Sequence, residues 1–318
     1  MCGIFGLVDY GTGSYDKSFA FRKAAHHLLK VSESRGRDAS GICVLTDEKA
    51  SVFKEAHKGS KLVRTAGYSA VVNNINYTKN FKAMIGHTRQ KTQGTQRLNV
   101  NNHPIIANKV IGVHNGIIGN DGSLFNKYSD RMHRLGQVDS EIIFRLINYH
   151  IATNKKIIEA VKLAHKELSG SYACAFIHTD MPRYLTLFSN ASTYSNAILY
   201  IYKNVRSMAF ASSRNILNES LDHSKWLNPA HTSKSIDISM GGVRIDLETG
   251  KILQFDLDDN FEDDYYTSLL SGTRWKKAKD NKKKKSNQSK SFDCSMCDDG
   301  YEMISGYGMC SSCAMNGY

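Results

Sequence analysis

Two groups of residues in this sequence have the types and spacing to do chemistry. The first is a single side chain, Cys2, which directly follows the initiator methionine in MCGIFG. A small residue at position 2 generally allows methionine removal, which would leave Cys2 with both a thiol and a free α-amine. A thiol needs a base to become a good nucleophile, and an α-amine with a reference pKa of about 8 can serve near neutral pH. The alternative is a small hydrophobe opening a buried strand. The second group is CSMC and CSSC near the end of the chain, with Cys294, Cys297, Cys310 and Cys313 forming two knuckles twelve residues apart. That spacing suits a tetrahedral four-cysteine zinc site, structural rather than catalytic because protein fills every position; a pair of disulfides is the alternative.

Five further segments carry polar residues and glycines where a strand would simply end. They are RGRDASGI (35–42), GHTRQKTQGT (86–95), NNHPI (101–105), VHNGIIGN (113–120) and VDSEII (138–143). Each alone is weak, and HNG by itself reads as a turn. Together with Cys2, in order and spacing, they resemble the glutaminase domain of class II glutamine amidotransferases. These are N-terminal nucleophile hydrolases, and the domain is shared by glucosamine-6-phosphate synthase, amidophosphoribosyltransferase and asparagine synthetase. The resemblance runs from Cys2 to about residue 257.

The resemblance implies a role for each matching residue. Cys2 would attack the side-chain amide of glutamine and form a thioester, its α-amine taking and returning the proton. The side-chain amide of Asn115 and the main-chain N–H of Gly116 would hold the oxyanion, where losing one donor typically lowers the rate by ~100–1,000-fold. Arg89 would fork onto the substrate α-carboxylate, a bidentate geometry that lysine lacks. Thr92, in the same loop, would help hold that carboxylate. Asp139 would pair with the substrate ammonium, and a helix N-cap is its alternative or additional use. Arg35 would lie near the nucleophile. His87 and His114 are expected to pack and hydrogen-bond beside their strands, since this family uses the α-amine as base and needs no cofactor for catalysis. Gln90 stands where the glucosamine-phosphate synthase group has an aromatic residue, and Gln93 where it has a histidine. The resemblance therefore carries over hydrolysis but not loop closure or ammonia channelling.

The elements that must position these residues follow from apolar periodicity. Strands are expected at 4–8, 41–45, 83–87, 110–114, 172–177, 184–188, 197–202 and 207–212, with a hairpin over 241–257. Helices are expected at 19–34, 140–151 and 154–168, the last with Ile157, Val161 and Ala164 on one face. The fold class is α+β: residues 1–257 as the four-layer α/β/β/α sandwich that the resemblance implies, then a charged linker (258–290) and a small zinc ribbon (291–318).

At 318 residues with a formal charge of +12, the chain is basic, but its lysine-rich tail is not the cause. Residues 258–318 hold 9 Lys/Arg against 10 Asp/Glu, leaving 33 against 20 in residues 1–257. A basic body suits phosphorylated or acidic partners, nucleic acid among them, or simply a solvated surface. No apolar run approaches the ~18 residues of a membrane span and no secretory signal is visible, so a cytoplasmic protein without a membrane partner is expected. Seven cysteines, an odd number, fit that compartment. Free ammonia protonates at neutral pH and ceases to be a nucleophile, and no SGGxDS-type or P-loop motif is present to consume it. A separate ammonia-accepting synthase is therefore the expected partner. An amidase acting on another γ-glutamyl-type amide and a non-catalytic, nucleic-acid-associated scaffold remain the alternatives.

Overall fold

The computed structural model describes residues 2–191, 199–222 and 224–258. The linker beyond Asp258, the zinc ribbon and Met1 lie outside the described residues. Two antiparallel sheets form the centre. The first runs β11 (Lys234–Ile238), β9 (Leu199–Asn204), β10 (Ser207–Ala211), β1 (Gly3–Asp9), β4 (Phe81–Arg89), β2 (Ala39–Thr46), β3 (Ala50–Glu55). The second runs β13 (Ile252–Phe255), β12 (Gly241–Asp246), β8 (Tyr184–Ser189), β7 (Gly170–His178), β6 (Val110–Ile118), β5 (Ile105–Ala107). The helices are α1 (Tyr15–Ser32), α2 (Gly59–Leu62), α3 (Ala66–Val72), α4 (Asp121–Lys127), α5 (Ser140–Ala152), α6 (Ile157–Glu167) and α7 (Arg214–Leu221).

Strand alternation builds the layers. Along β1, Ile4 and Val8 point between the sheets, where they meet Ile111, Val113, Ala173 and Ala175 of the second sheet. Phe5 and Leu7 point the other way, onto Phe21, Ala25 and Leu28 of α1. On β7 the same period of two sends Ala173, Ala175 and Ile177 inward and Tyr172, Cys174 and Phe176 out to α5 and α6. The result is helix, sheet, sheet, helix, as the resemblance implies. Both inner strands are buried on two faces, which is why they read as nearly continuous apolar runs. Among the described residues no helix is long and apolar enough to cross a membrane.

The differences from expectation sit at ends and edges and in four helices that the periodicity did not mark, α2, α3, α4 and α7. Helix α1 begins four residues earlier than expected, because Ser14 accepts from Lys17 N–H at 3.2 Å and caps it. Helix α6 begins later, because Asn154 adopts a left-handed conformation (φ 65°) and turns the chain between α5 and α6. The edge strands β3 and β11 and the three-residue β5 went unread; each is short, and β11 alternates as KSIDI with polar residues facing out.

Candidate active site

Cys2 lies at the head of β1, a central strand paired with β10 on one side and β4 on the other. Its thiol rests against the main chain of Gln90, which donates its N–H to Sγ at 3.3 Å and accepts from Sγ at 3.4 Å. The carbonyl of Cys2 accepts from Arg35 Nε at 2.8 Å and from Asn115 Nδ2 at 3.0 Å. Burial pushes the thiol pKa above its ordinary value, outweighing the pull of the Gln90 amide and of the Arg89 and Arg35 charges. At neutral pH the thiol therefore keeps its proton.

The RGRD segment is folded onto this region by close backbone contact. A Cβ on Gly36 would sit 2.4 Å from the carbonyl carbon of Arg89, so only glycine lets the loop lie there. Asp38 then ties it down, donating its N–H to Arg89 O at 2.9 Å and accepting from Lys91 N–H at 2.7 Å.

Asn115 and Gly116 do not form a turn: HNG continues β6, paired residue for residue with Cys174, Ala173 and Tyr172 of β7. What resembled a turn signal is a backbone requirement inside a strand. Gly116 has φ 131°, and a Cβ there would lie 1.9 Å from Ser171 O. Besides Cys2 O, Asn115 Nδ2 donates to Ser212 Oγ at 2.9 Å, while the buried Asn115 Oδ1 has no hydrogen-bond partner among the described residues.

Arg89 closes β4 and is almost fully buried. Its guanidinium donates to Asn102 Oδ1 at 3.0 Å, to Gly94 O at 2.9 Å and to Gln93 O, so it braces its own following loop. The fork expected for a carboxylate is thus partly occupied, with other donors of the five remaining. Cys2, Asp38 and Asp139 all act on its charge. Thr92 lies exposed in that loop and forms no hydrogen bond among the described residues.

Asp139 occupies the N-cap position of α5 but does not cap it; its carboxylate accepts the main-chain N–H of Ile118 at 2.7 Å, two residues beyond Gly116. The loop before it is fixed by Glu141, which accepts from Leu135 N–H (3.0 Å) and Gly136 N–H (2.7 Å) and pairs with Arg145 at 2.9 Å. Asn101 and Gln137 clasp this loop to the one after Arg89, Gln137 N–H donating to Asn101 Oδ1 at 2.7 Å.

Three histidines lie beneath these residues. His87 stacks on His103 with centroids 4.2 Å apart, and His114 is 6.5 Å from His103. His87 Nε2 contacts His114 O at 3.0 Å, and His114 Nδ1 contacts Ser140 Oγ at 2.7 Å. Burial holds all three below the ordinary histidine pKa, His87 down to about 3. No described cluster of His, Cys, Asp and Glu has the arrangement to hold a metal ion. His103 was visible in NNHPI but had no reading there. Lys54, Asn102 and Ser212 also went unread. Lys54 donates to the carbonyls of Asn102 (2.6 Å) and Pro104 (2.8 Å), and no motif in its own strand marks it.

Residues 87–219 match the model of the glutamine amidotransferase domain family. The chain carries a class II glutamine amidotransferase domain. Among curated proteins it is 32% identical over 185 residues to the glutamine–fructose-6-phosphate aminotransferase of Aeropyrum pernix, covering 57% of this chain and 28% of that one. It is 30% identical over 223 residues to that of Helicobacter pylori, covering 70% of this chain and 34% of the relative. The amidotransferase domain thus spans about a third or less of the curated relatives it matches. A solved structure, the glutamine phosphoribosylpyrophosphate amidotransferase of B. subtilis, aligns with a TM-score of 0.57 at 18% identity, over 81% of this chain and 50% of that one, which establishes a shared fold.

Proposed function

We propose that this amidotransferase domain hydrolyses glutamine to glutamate and ammonia, with Cys2 as nucleophile once Met1 is removed. The carrying observation is the convergence on Cys2 of Asn115 from the opposite sheet, with Gly116 beside it and Arg89 and Asp139 nearby. The α-amine of Cys2 takes the thiol proton as sulfur attacks the amide carbon. Asn115 Nδ2, turning the hydrogen it gives Cys2 O onto the new negative charge, and the Gly116 N–H receive the oxyanion. The amine returns the proton to the departing nitrogen, ammonia leaves, and water releases glutamate from the thioester. One feature favours the amine as base: no histidine hydrogen-bonds Cys2 among the described residues. Arg89 and Asp139 bind the α-carboxylate and α-ammonium, with Thr92 assisting and Arg35 holding the nucleophile's main chain.

Ammonia released this way is consumed by a separate synthase docked on the domain. The nucleic-acid partner that the basic charge allows finds no support in the relatives. The four-cysteine tail is a zinc site on its spacing, tested by metal content of the full chain beside a Cys294→Ser variant. Glutaminase activity is tested by measuring glutamate production from glutamine by the methionine-processed protein and its Cys2→Ala variant. Loss of activity in the variant supports the reading. Silence in both, with no labelling of Cys2 by a glutamine-analogue electrophile, would refute it.

A further inference from the structure

We propose that Ser212 is a positioning residue that fixes which end of the Asn115 carboxamide faces the nucleophile. This rests on the glutamine-hydrolysis reading above. Ser212 directly follows β10, in the sheet of Cys2, whereas Asn115 belongs to the other sheet. Its hydroxyl is the link between them at this point. Ser212 Oγ accepts from Ile4 N–H at 2.8 Å and from Asn115 Nδ2 at 2.9 Å, and donates to Ile4 O at 3.3 Å. A hydroxyl has two acceptor sites and one proton, so all three are engaged. Ser212 N–H also donates to Ile4 O at 2.9 Å, which locks the residue to β1 two positions from the nucleophile.

The chemistry needs Asn115 to present N–H, not C=O, towards developing negative charge. A carboxamide has nearly the same shape either way round, so packing alone selects weakly between the two. Hydrogen bonding does select. Cys2 O can only accept, and the Ser212 proton is committed to Ile4 O, so a flipped carboxamide would set its oxygen against the Cys2 carbonyl and would have to draw the Ser212 proton away from Ile4 O. The Cys2 carbonyl belongs to the reacting residue itself, which leaves Ser212 as the fixed anchor of Nδ2, while His87 lies against the same carboxamide. Ser212 touches no substrate in this account; it acts through Asn115.

The test is steady-state glutamine hydrolysis by Ser212→Ala, Asn115→Ala and the double variant, with inhibition by glutamate γ-semialdehyde, whose thiohemiacetal oxyanion occupies the same hole. Ser212→Ala should lower kcat by about 10-fold or more, short of the ~100–1,000-fold expected from removing a donor. KM for glutamine should stay within about twofold, and the aldehyde should bind more weakly while product glutamate binds as before. In the Asn115→Ala background, Ser212→Ala should have no further effect. An unchanged kcat, or an equal loss in both backgrounds, would overturn the proposal, since a merely structural serine would act regardless of Asn115. Should Ser212→Ala not fold, Ser212→Cys carries the same expectations, because a thiol fills the space and accepts N–H bonds only weakly. Wild-type protein inactive on glutamine would defeat the underlying reading as well; an active wild type with an unaltered variant would defeat the Ser212 assignment alone.

Discussion

Arg35 and Asn115 donate to the same atom, the main-chain carbonyl oxygen of Cys2, from 2.8 and 3.0 Å. Residue 2 is thereby held by its backbone, leaving its side chain and amine to do chemistry. A lysine at position 35 keeps the charge but not the Nε donor in its planar fork. A lost hydrogen bond from a charged donor is worth about 1.5–3 kcal/mol. Arg35→Lys should therefore lower kcat/KM about 10- to 100-fold, read from steady-state hydrolysis, while KM moves little.

Asp139→Asn separates substrate charge from architecture. The asparagine oxygen can still accept the Ile118 N–H that Asp139 accepts at 2.7 Å, so the melting temperature should move by only a few degrees. Without the charge facing the substrate ammonium, KM for glutamine should rise at least about 10-fold, the scale of a hydrogen-bonded charge lost. A KM that stays put would point to an amide without a free α-amine as the natural substrate.

Two glycine-to-alanine changes should act in opposite directions. At Gly116 the positive φ and the 1.9 Å approach to Ser171 O leave no room, so Gly116→Ala should unfold the β6–β7 pairing and yield little soluble protein. Gly122 lies exposed in α4, with nothing within 4 Å of a built Cβ. There, alanine should raise stability by about 0.5–1 kcal/mol, measured by urea denaturation.

The buried histidines set the response to acid. His87, His103 and His114 resist protonation when folded, whereas unfolded histidines bind protons below about pH 6.5. The unfolded state then holds more protons, so stability is complete above about 6.5 and falls as pH drops towards the folded value of about 3 for His87. Each imidazole kept neutral contributes a slope of about 1.4 kcal/mol per pH unit in that window. Denaturation midpoints between pH 7.5 and 5 should show this, and His103→Leu should flatten the slope by about one proton. A midpoint independent of pH would rule it out.

The layered fold was legible because its inner strands are buried on both faces: GIFGLVD and YACAFI can hardly be anything else in a chain of this length. Cys2 and the residues proposed to act with it stood out as an ordered set of motifs, whose residues lie at strand ends and in loops that need special backbone geometry. What eluded the sequence was of another kind. Ser212 sits at the end of SMAFAS, where a serine is indistinguishable from a polar strand terminus; only the three-dimensional approach of Asn115 gives its hydroxyl a purpose. Lys54 lies in an edge strand and reaches Asn102 and Pro104 some fifty positions away, a relationship with no local signature. Asn115 and Gly116 were singled out for the oxyanion role that the resemblance implies, while HNG by itself read as a turn, because a glycine required by a crowded strand looks the same on paper as one required by a turn.

The division of the site between two sheets has a mechanical consequence. Cys2 heads a strand of one sheet, and Asn115 and Gly116 ride on the other, so the gap between the proposed nucleophile and the proposed oxyanion donors is set by how the two slabs seat on each other. Ile4, Val113 and Ala175 act as shims in that seating. Trimming one of them leaves every reactive group chemically intact, yet alters the clearance at which they meet. On the proposed mechanism, turnover should gauge interlayer thickness, and a methylene removed well away from the substrate should be felt at the scissile bond.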